Sequence, residues 1–318
     1  MRSSSITTTA NAQDTISQAV VIKRFDNELH TLLQTDSSTL STSLQIAYND
    51  FLRAFGSVTI NNSEYKKADY YAALKKYYTN PLLSQIYKDA LDTFKIVSSY
   101  EAELSEANKL IGLYFKDKKL PYLSMHISGF KANTIVMHNL ISISTDKYLG
   151  ADYPQYKDYF APYQLVQMQP KMITRDYLRA WCLSELPTNT KRKDVLSEMI
   201  NEGKILYALQ LLLPTWSEAD LIGYTPDQYT WAKENIKDSW KTTIEQNYLY
   251  NTDHMVIVKY MEEAPYTATI STQSPPRLGA WLGWQIIKQY AQNTQASLAQ
   301  IQEEMDYQKI IKSSKFNP

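Results

Sequence analysis

The sequence is short of the residues that many folds and active sites are built around. Glycine occurs only 8 times in 318 residues, well under the usual ~7%. Few positive-φ turns are therefore available, which disfavours a protein made of many hairpins. The single cysteine, Cys182, excludes an intrachain disulfide and says little about compartment. It lies beside Trp181 and Leu183 with no histidine near it in sequence, as a buried structural thiol does. The four histidines, His30, His126, His138 and His254, include no pair at i,i+3 or i,i+4, so the two-histidine helix of a zinc peptidase is missing. Neither sign of charge is in excess: 33 basic and 33 acidic residues leave no electrostatic footprint for nucleic acid or an acidic membrane. No apolar run approaches the ~20 residues of a spanning helix. The phosphate-binding loops G-x-x-x-x-G-K-[ST] and G-x-G-x-x-G are absent, as is the G-x-S-x-G elbow of serine hydrolases.

What is present is ample apolar content, 44% of residues, and 25 tyrosines. The length suits roughly two domains of about 150 residues, or one large unit. Most tyrosines fall in helical patterns, where the ring packs and the hydroxyl stays wet; an aromatic platform for glycans is the alternative use. Residues 1–13 read as the disordered remnant of a leader, because Ala10-Asn11-Ala12 resembles the end of a secretory signal without its apolar region. Apolar spacing predicts helices from Asp14 to about Leu33, Thr39 to Phe55, Glu64 to Tyr78, Pro81 to Val97 and Tyr100 to Phe115. Asn80-Pro81 is a strong start signal for the fourth. Pro121 to Ile143 changes character, and its short Ile-, Val- and Tyr-rich runs predict two or three strands in a meander. Residues 151–169 read as irregular surface.

Helices resume from Lys171 to Leu186, from Thr190 or Asp194 to before Pro214, from Thr225 into the 240s, from Arg277 to Tyr290, and from Ser297 to Lys312. Gly279 and Gly283 share a face of the fourth of these, which allows a neighbouring helix to approach closely.

The residues that could carry chemistry are few. Glu262-Glu263 and Glu303-Glu304 are adjacent, and adjacent helical residues do not face each other. His126 and His138 could meet on neighbouring strands, but two ligands make a poor zinc site. The run R-D-Y-L-R places Arg175, Asp176 and Arg179 at the spacing of H-E-x-x-H, with both arginines on one helix face. The next helix carries Glu198 and Glu202 at i,i+4. Either these are ordinary exposed charges, worth about 0–1 kcal/mol each, or the two arginines and two glutamates form an ion-pair ladder between the helices.

Six segments in order give the chain a family resemblance. They are LPYLSMHISGF at 120–130, DKYLG at 146–150, PYQLVQMQPKMI at 162–173, INEGKILYALQLLLP at 200–214, PRLGAWLGWQIIKQY at 276–290 and KIIKSSKFNP at 309–318. Together they resemble the gliding-motility lipoprotein GldB over about residues 20–318. The resemblance implies a cell-envelope protein of Bacteroidetes, on the periplasmic side, connected with gliding or its secretion machinery. It also implies a lipid anchor on a cysteine near the processed N-terminus; here Cys182 lies far from it and no lipobox is found, so the anchor is expected to be absent or removed with a leader. The same segments are distantly similar to predicted zincin-type peptidases, whose H-E-x-x-H helix precedes a helix with a glutamate-glycine pair. Glu202-Gly203 matches that pair. If R-D-Y-L-R stands in the first position, guanidiniums replace imidazoles; they have no acceptor and cannot ligate zinc.

The expected fold is α+β and mostly helical, with a small antiparallel sheet and a degenerate zincin-like helical core. An N-terminal helical subdomain at 14–118 precedes a zincin-like α+β region at 119–318, the alternative being one continuous domain. The expected function is non-catalytic: contacts with other envelope proteins of the motility or secretion machinery, with no cofactor, metal or nucleic acid. The candidate degenerate site is Arg175, Asp176, Arg179, Glu198 and Glu202. Two alternatives stand beside it: a metallopeptidase using His126, His138 and Glu202, and a glycan-binding envelope protein.

Overall fold

The computed structural model describes residues 19–35, 38–189 and 193–318. It is an α+β fold, mostly helical, around one four-stranded sheet. Strand β1 (Ile22–Lys23) leads into helices α1 (Phe25–Thr35), α2 (Ser38–Ile60), α3 (Ala68–Tyr78), α4 (Pro81–Thr93) and α5 (Ser98–Tyr114). The helix expected from Asp14 thus begins only at Phe25. Residues 14–18, like the expected leader remnant at 1–13, lie outside the described residues. Ile22 is apolar at a helix-compatible position, yet it pairs with Leu123 a hundred residues on, a contact that local periodicity does not register. Asn80 caps α4 as expected, its side chain accepting from the N–H groups of Leu82 and Leu83. Helix α2 is broken at Asn49, where the backbone leaves helical geometry.

Strands β2 (Tyr122–His126), β3 (Thr134–Met137) and β4 (Leu140–Ser144) follow. The sheet order is β1-β2-β4-β3, with β1–β2 and β2–β4 parallel and only β3–β4 antiparallel. The expected antiparallel meander is therefore corrected to a mixed sheet. β4 inserts between β2 and β3, and β1 arrives from a crossover that no local turn signal announces. Both faces are covered. In β2 and β4, Leu123, Met125, Ile141 and Ile143 join one core with helix residues Tyr177, Leu178 and Trp181. The alternating positions turn the other way: His126 lies between the rings of Phe51 and Phe55, and Ile135 and Leu140 join the core under α1 to α4.

After the sheet come α6 (Pro162–Leu165), α7 (Met172–Glu185), α8 (Val195–Leu212), α9 (Glu218–Ile222), α10 (Pro226–Glu234), α11 (Ile236–Glu245), α12 (His254–Met261), α13 (Leu278–Thr294), α14 (Leu298–Glu303) and α15 (Tyr307–Ser314). The single helices expected from Thr225 and from Ser297 are each two, the first interrupted at Asn235 and the second between Glu303 and Tyr307. Helix α8, with a buried face on nearly every side, crosses α13 at glycines. A Cβ on Gly283 would collide with the Met199 carbonyl, and one on Gly203 with the Gly283 backbone. The close approach expected at Gly279 and Gly283 is real, Gly279 meeting Tyr260 and Met261 of α12 instead of α8. Among the described residues, no helix is long and apolar enough to cross a membrane.

Candidate functional site

Helices α7, α8 and α12, the N-terminal end of α13 and the margin of β3 surround a cleft of about 820 Å³, within the size range of binding sites. All five candidate residues line it. The run R-D-Y-L-R lies in α7, and Glu198 and Glu202 lie one turn apart on α8.

The ladder forms in one rung. An Arg179 terminal nitrogen donates to Glu202 Oε1 at 2.9 Å. The second Glu202 oxygen accepts from Arg277 at 2.8 Å, a residue that the spacing argument did not include. Arg175 does not reach Glu198. It pairs with its neighbour Asp176 at 2.7 Å and donates to Gln167 and the Asp220 carbonyl. The other Asp176 oxygen accepts from the Tyr148 hydroxyl at 2.7 Å. Gly223, at φ +84, leaves room for Gln167 and Arg175 where a Cβ would strike both.

Burial alone would raise the Glu202 carboxyl, but the two guanidiniums outweigh it and hold the group at about 2. Glu198, half-buried, moves the other way, raised by burial and by the charge of Glu202. Arg277 is forced to a left-handed backbone, φ +53, immediately after Pro276. For a residue with a Cβ that costs ~1–2 kcal/mol, which the charged hydrogen bond to Glu202 offsets. The sequence did carry a signal: an arginine at the N-cap of α13, where Ser, Thr, Asp or Asn is usual.

The histidines do not assemble a site. His126 is fully buried on the sheet face turned toward α2, where burial lowers its imidazole to about 3 and Nδ1 lies 2.8 Å from the Ser142 hydroxyl. His138 is exposed at the β3–β4 turn, and His30 stacks on Tyr87. Only His254 lines the cleft. The ligand set His126, His138 and Glu202 is therefore not brought together, because strand alternation sends His126 to the wrong face. Among the described residues, no group of three or more His, Cys, Asp or Glu is placed to hold a metal ion. Guanidiniums engage both oxygens of Glu202, and they are donors only. Of the aromatics a glycan platform would use, none of the six tryptophans is exposed, while Tyr122, Tyr159 and Tyr250 are.

Fold and site define a mostly helical α+β protein whose cleft floor is closed by an arginine–glutamate cluster. The family described as gliding motility protein GldB matches residues 7–318, nearly the whole chain, and the protein belongs to that family. No curated protein and no solved structure matches it. Membership links the chain to gliding motility, and a gliding-motility lipoprotein family is consistent with the cell envelope.

Proposed function

We propose that the protein serves gliding motility as a non-catalytic component on the periplasmic side of the envelope, acting through contacts with other polypeptides of the motility or secretion machinery. The observation that carries this reading is the state of Glu202. Both its oxygens are engaged by guanidiniums, and its carboxyl is held at about 2. A carboxylate so held is a poor general base, since a base works best with a pKa near the operating pH. It has also lost the free oxygens that a metal would take. The pairing of Arg179 from the R-D-Y-L-R run of α7 with Glu202 of α8 supports a degenerate peptidase-like origin, with ion pairing where a metal would bridge the two helices.

The test is zinc content per chain by elemental analysis, on protein purified without chelators or a histidine tag, together with casein hydrolysis. Near-zero zinc, unchanged after equimolar zinc is added, and no hydrolysis are expected. About one tightly held zinc per chain, with hydrolysis lost in Glu202→Gln, would overturn the reading.

A further inference from the structure

One wall of the cleft is an open sheet edge. β3 ends the sheet on its side. The Asn133 carbonyl accepts from the Ser144 N–H at 2.8 Å, which makes Asn133 and Ser144 a hydrogen-bonded pair of the β3–β4 ladder. Such pairs alternate with non-bonded ones in an antiparallel ladder. With Thr134 opposite Ile143 and Val136 opposite Ile141, the N–H and C=O groups of Thr134 and Val136 point away from β4. Ile135 turns its side chain into the core under α1 to α4, so Thr134 and Val136 face the α7 side, and both line the cleft.

Exposed edges are usually blunted by charge or proline; the sequence Thr-Ile-Val-Met of β3 has neither. Beside this edge the cleft offers apolar surface. Val136 and Leu183 are 44% and 52% exposed, and Ile257 and Val258 of α12 add to the lining. The floor offers the opposite chemistry. Two guanidiniums share the Glu202 carboxylate, and one terminal nitrogen of Arg179 has no hydrogen-bond partner. A free strand edge, apolar walls and an unsatisfied guanidinium together fit a strand-forming peptide with a carboxylate on it.

We propose that the cleft receives an extended segment of another polypeptide, which pairs as a fifth strand with Thr134 and Val136 and brings an internal Asp or Glu side chain to Arg179. This deepens the binding-protein reading above and rests on it. The probe is a display library of random decapeptides, selected on the immobilised full chain and confirmed with amidated synthetic copies. Enriched sequences should be free of proline, apolar at alternate positions and acidic at one. Amide exchange at Thr134 and Val136 should slow when peptide is added. Val136→Pro removes one outward N–H without touching the β3–β4 ladder, and should weaken binding about tenfold. Arg179→Gln should weaken the acidic peptides and leave their alanine-substituted copies unchanged.

The proposal is overturned if nothing is enriched, or if bound peptide protects amides elsewhere while those of Thr134 and Val136 exchange as before. The exchange measurement uses the unaltered protein, so it stands even if a variant folds poorly. These outcomes leave the zinc and hydrolysis readouts untouched, so the mode of binding can fail while the non-catalytic reading holds, and the reverse.

Discussion

Removing the Glu202 carboxylate should cost the fold ~3 kcal/mol or more. Two routes give that figure. Glu202 is only 18% exposed and holds Arg179 and Arg277, which are 26% and 10% exposed; taking one partner from a buried charge cluster leaves an uncompensated charge, at ~3–5 kcal/mol. Independently, the fall of its carboxyl from 4.5 to about 2 is worth ~3 kcal/mol, at ~1.4 kcal/mol per tenfold in proton affinity. The acid dependence has a definite sign. The folded carboxyl titrates below the unfolded one, so its contribution is complete above the unfolded value and drains away as pH falls from 4.5 through about 2. Urea titrations of the parent chain and Glu202→Ala, followed by tryptophan fluorescence at pH 7 and pH 3, measure both. The gap between the two proteins should be ~3 kcal/mol at pH 7 and should shrink at pH 3. Glu202→Gln, which keeps an acceptor but no charge, should fall between them. A gap under ~1 kcal/mol, the range of exposed ion pairs, or one that does not change with pH, would refute the assignment of a buried, doubly bridged carboxylate.

Two further outcomes follow from packing. Gly283→Ala should cost ~3 kcal/mol or more in the same titration, because its Cβ meets the Met199 carbonyl of a rigid helix; Gly112→Ala, in α5 with nothing within 4 Å, should be neutral or stabilise by up to ~1 kcal/mol. The Cys182 thiol, pushed up to about 12 by burial against the small opposing pull of Arg179, should resist iodoacetamide in native protein at pH 8 and react once urea unfolds it; rapid native alkylation would place it at an accessible site.

Reading helices from periodicity succeeded where burial is one-sided and caps are explicit, as in α4 behind Asn80 and α7 before Leu186. It failed where a long-range partner decides. Ile22 is helix-compatible by local spacing, yet it forms a strand because Leu123 lies open beside it. The strand content of Pro121 to Ile143 was visible in its Ile-, Val- and Tyr-rich runs, but not that β4 would enter between β2 and β3 in parallel with β2. In the cleft, Arg179 and Glu202 were placed by i,i+4 logic on adjacent helices. Arg277 was not, since it comes from 75 residues beyond Glu202 and from a loop conformation that no helical period encodes. His126 shows the opposite error: type and proximity in sequence suggested a ligand, and strand parity sent it into an apolar core.

The missing arginine changes what the cluster means. A single Arg179–Glu202 pair would tie α7 to α8 and leave one carboxylate oxygen facing the cleft. With Arg277 present, that oxygen is taken as well, and the turn that launches α13 is fixed to α8 in a backbone conformation it would otherwise leave. Three segments of chain, α7, α8 and the start of α13, are thereby held around one carboxylate. Buried ion clusters seldom stabilise more than apolar replacements of the same volume, so stability alone does not account for one here. What this cluster does that leucines would not is keep the cleft floor polar and fixed in place, with an Arg179 nitrogen still unsatisfied. In the proposed binding mode that free donor calls for a hydrogen-bond acceptor on whatever enters, while the open edge of β3 calls for an extended backbone. Neither demand needs chemistry to be performed on the occupant.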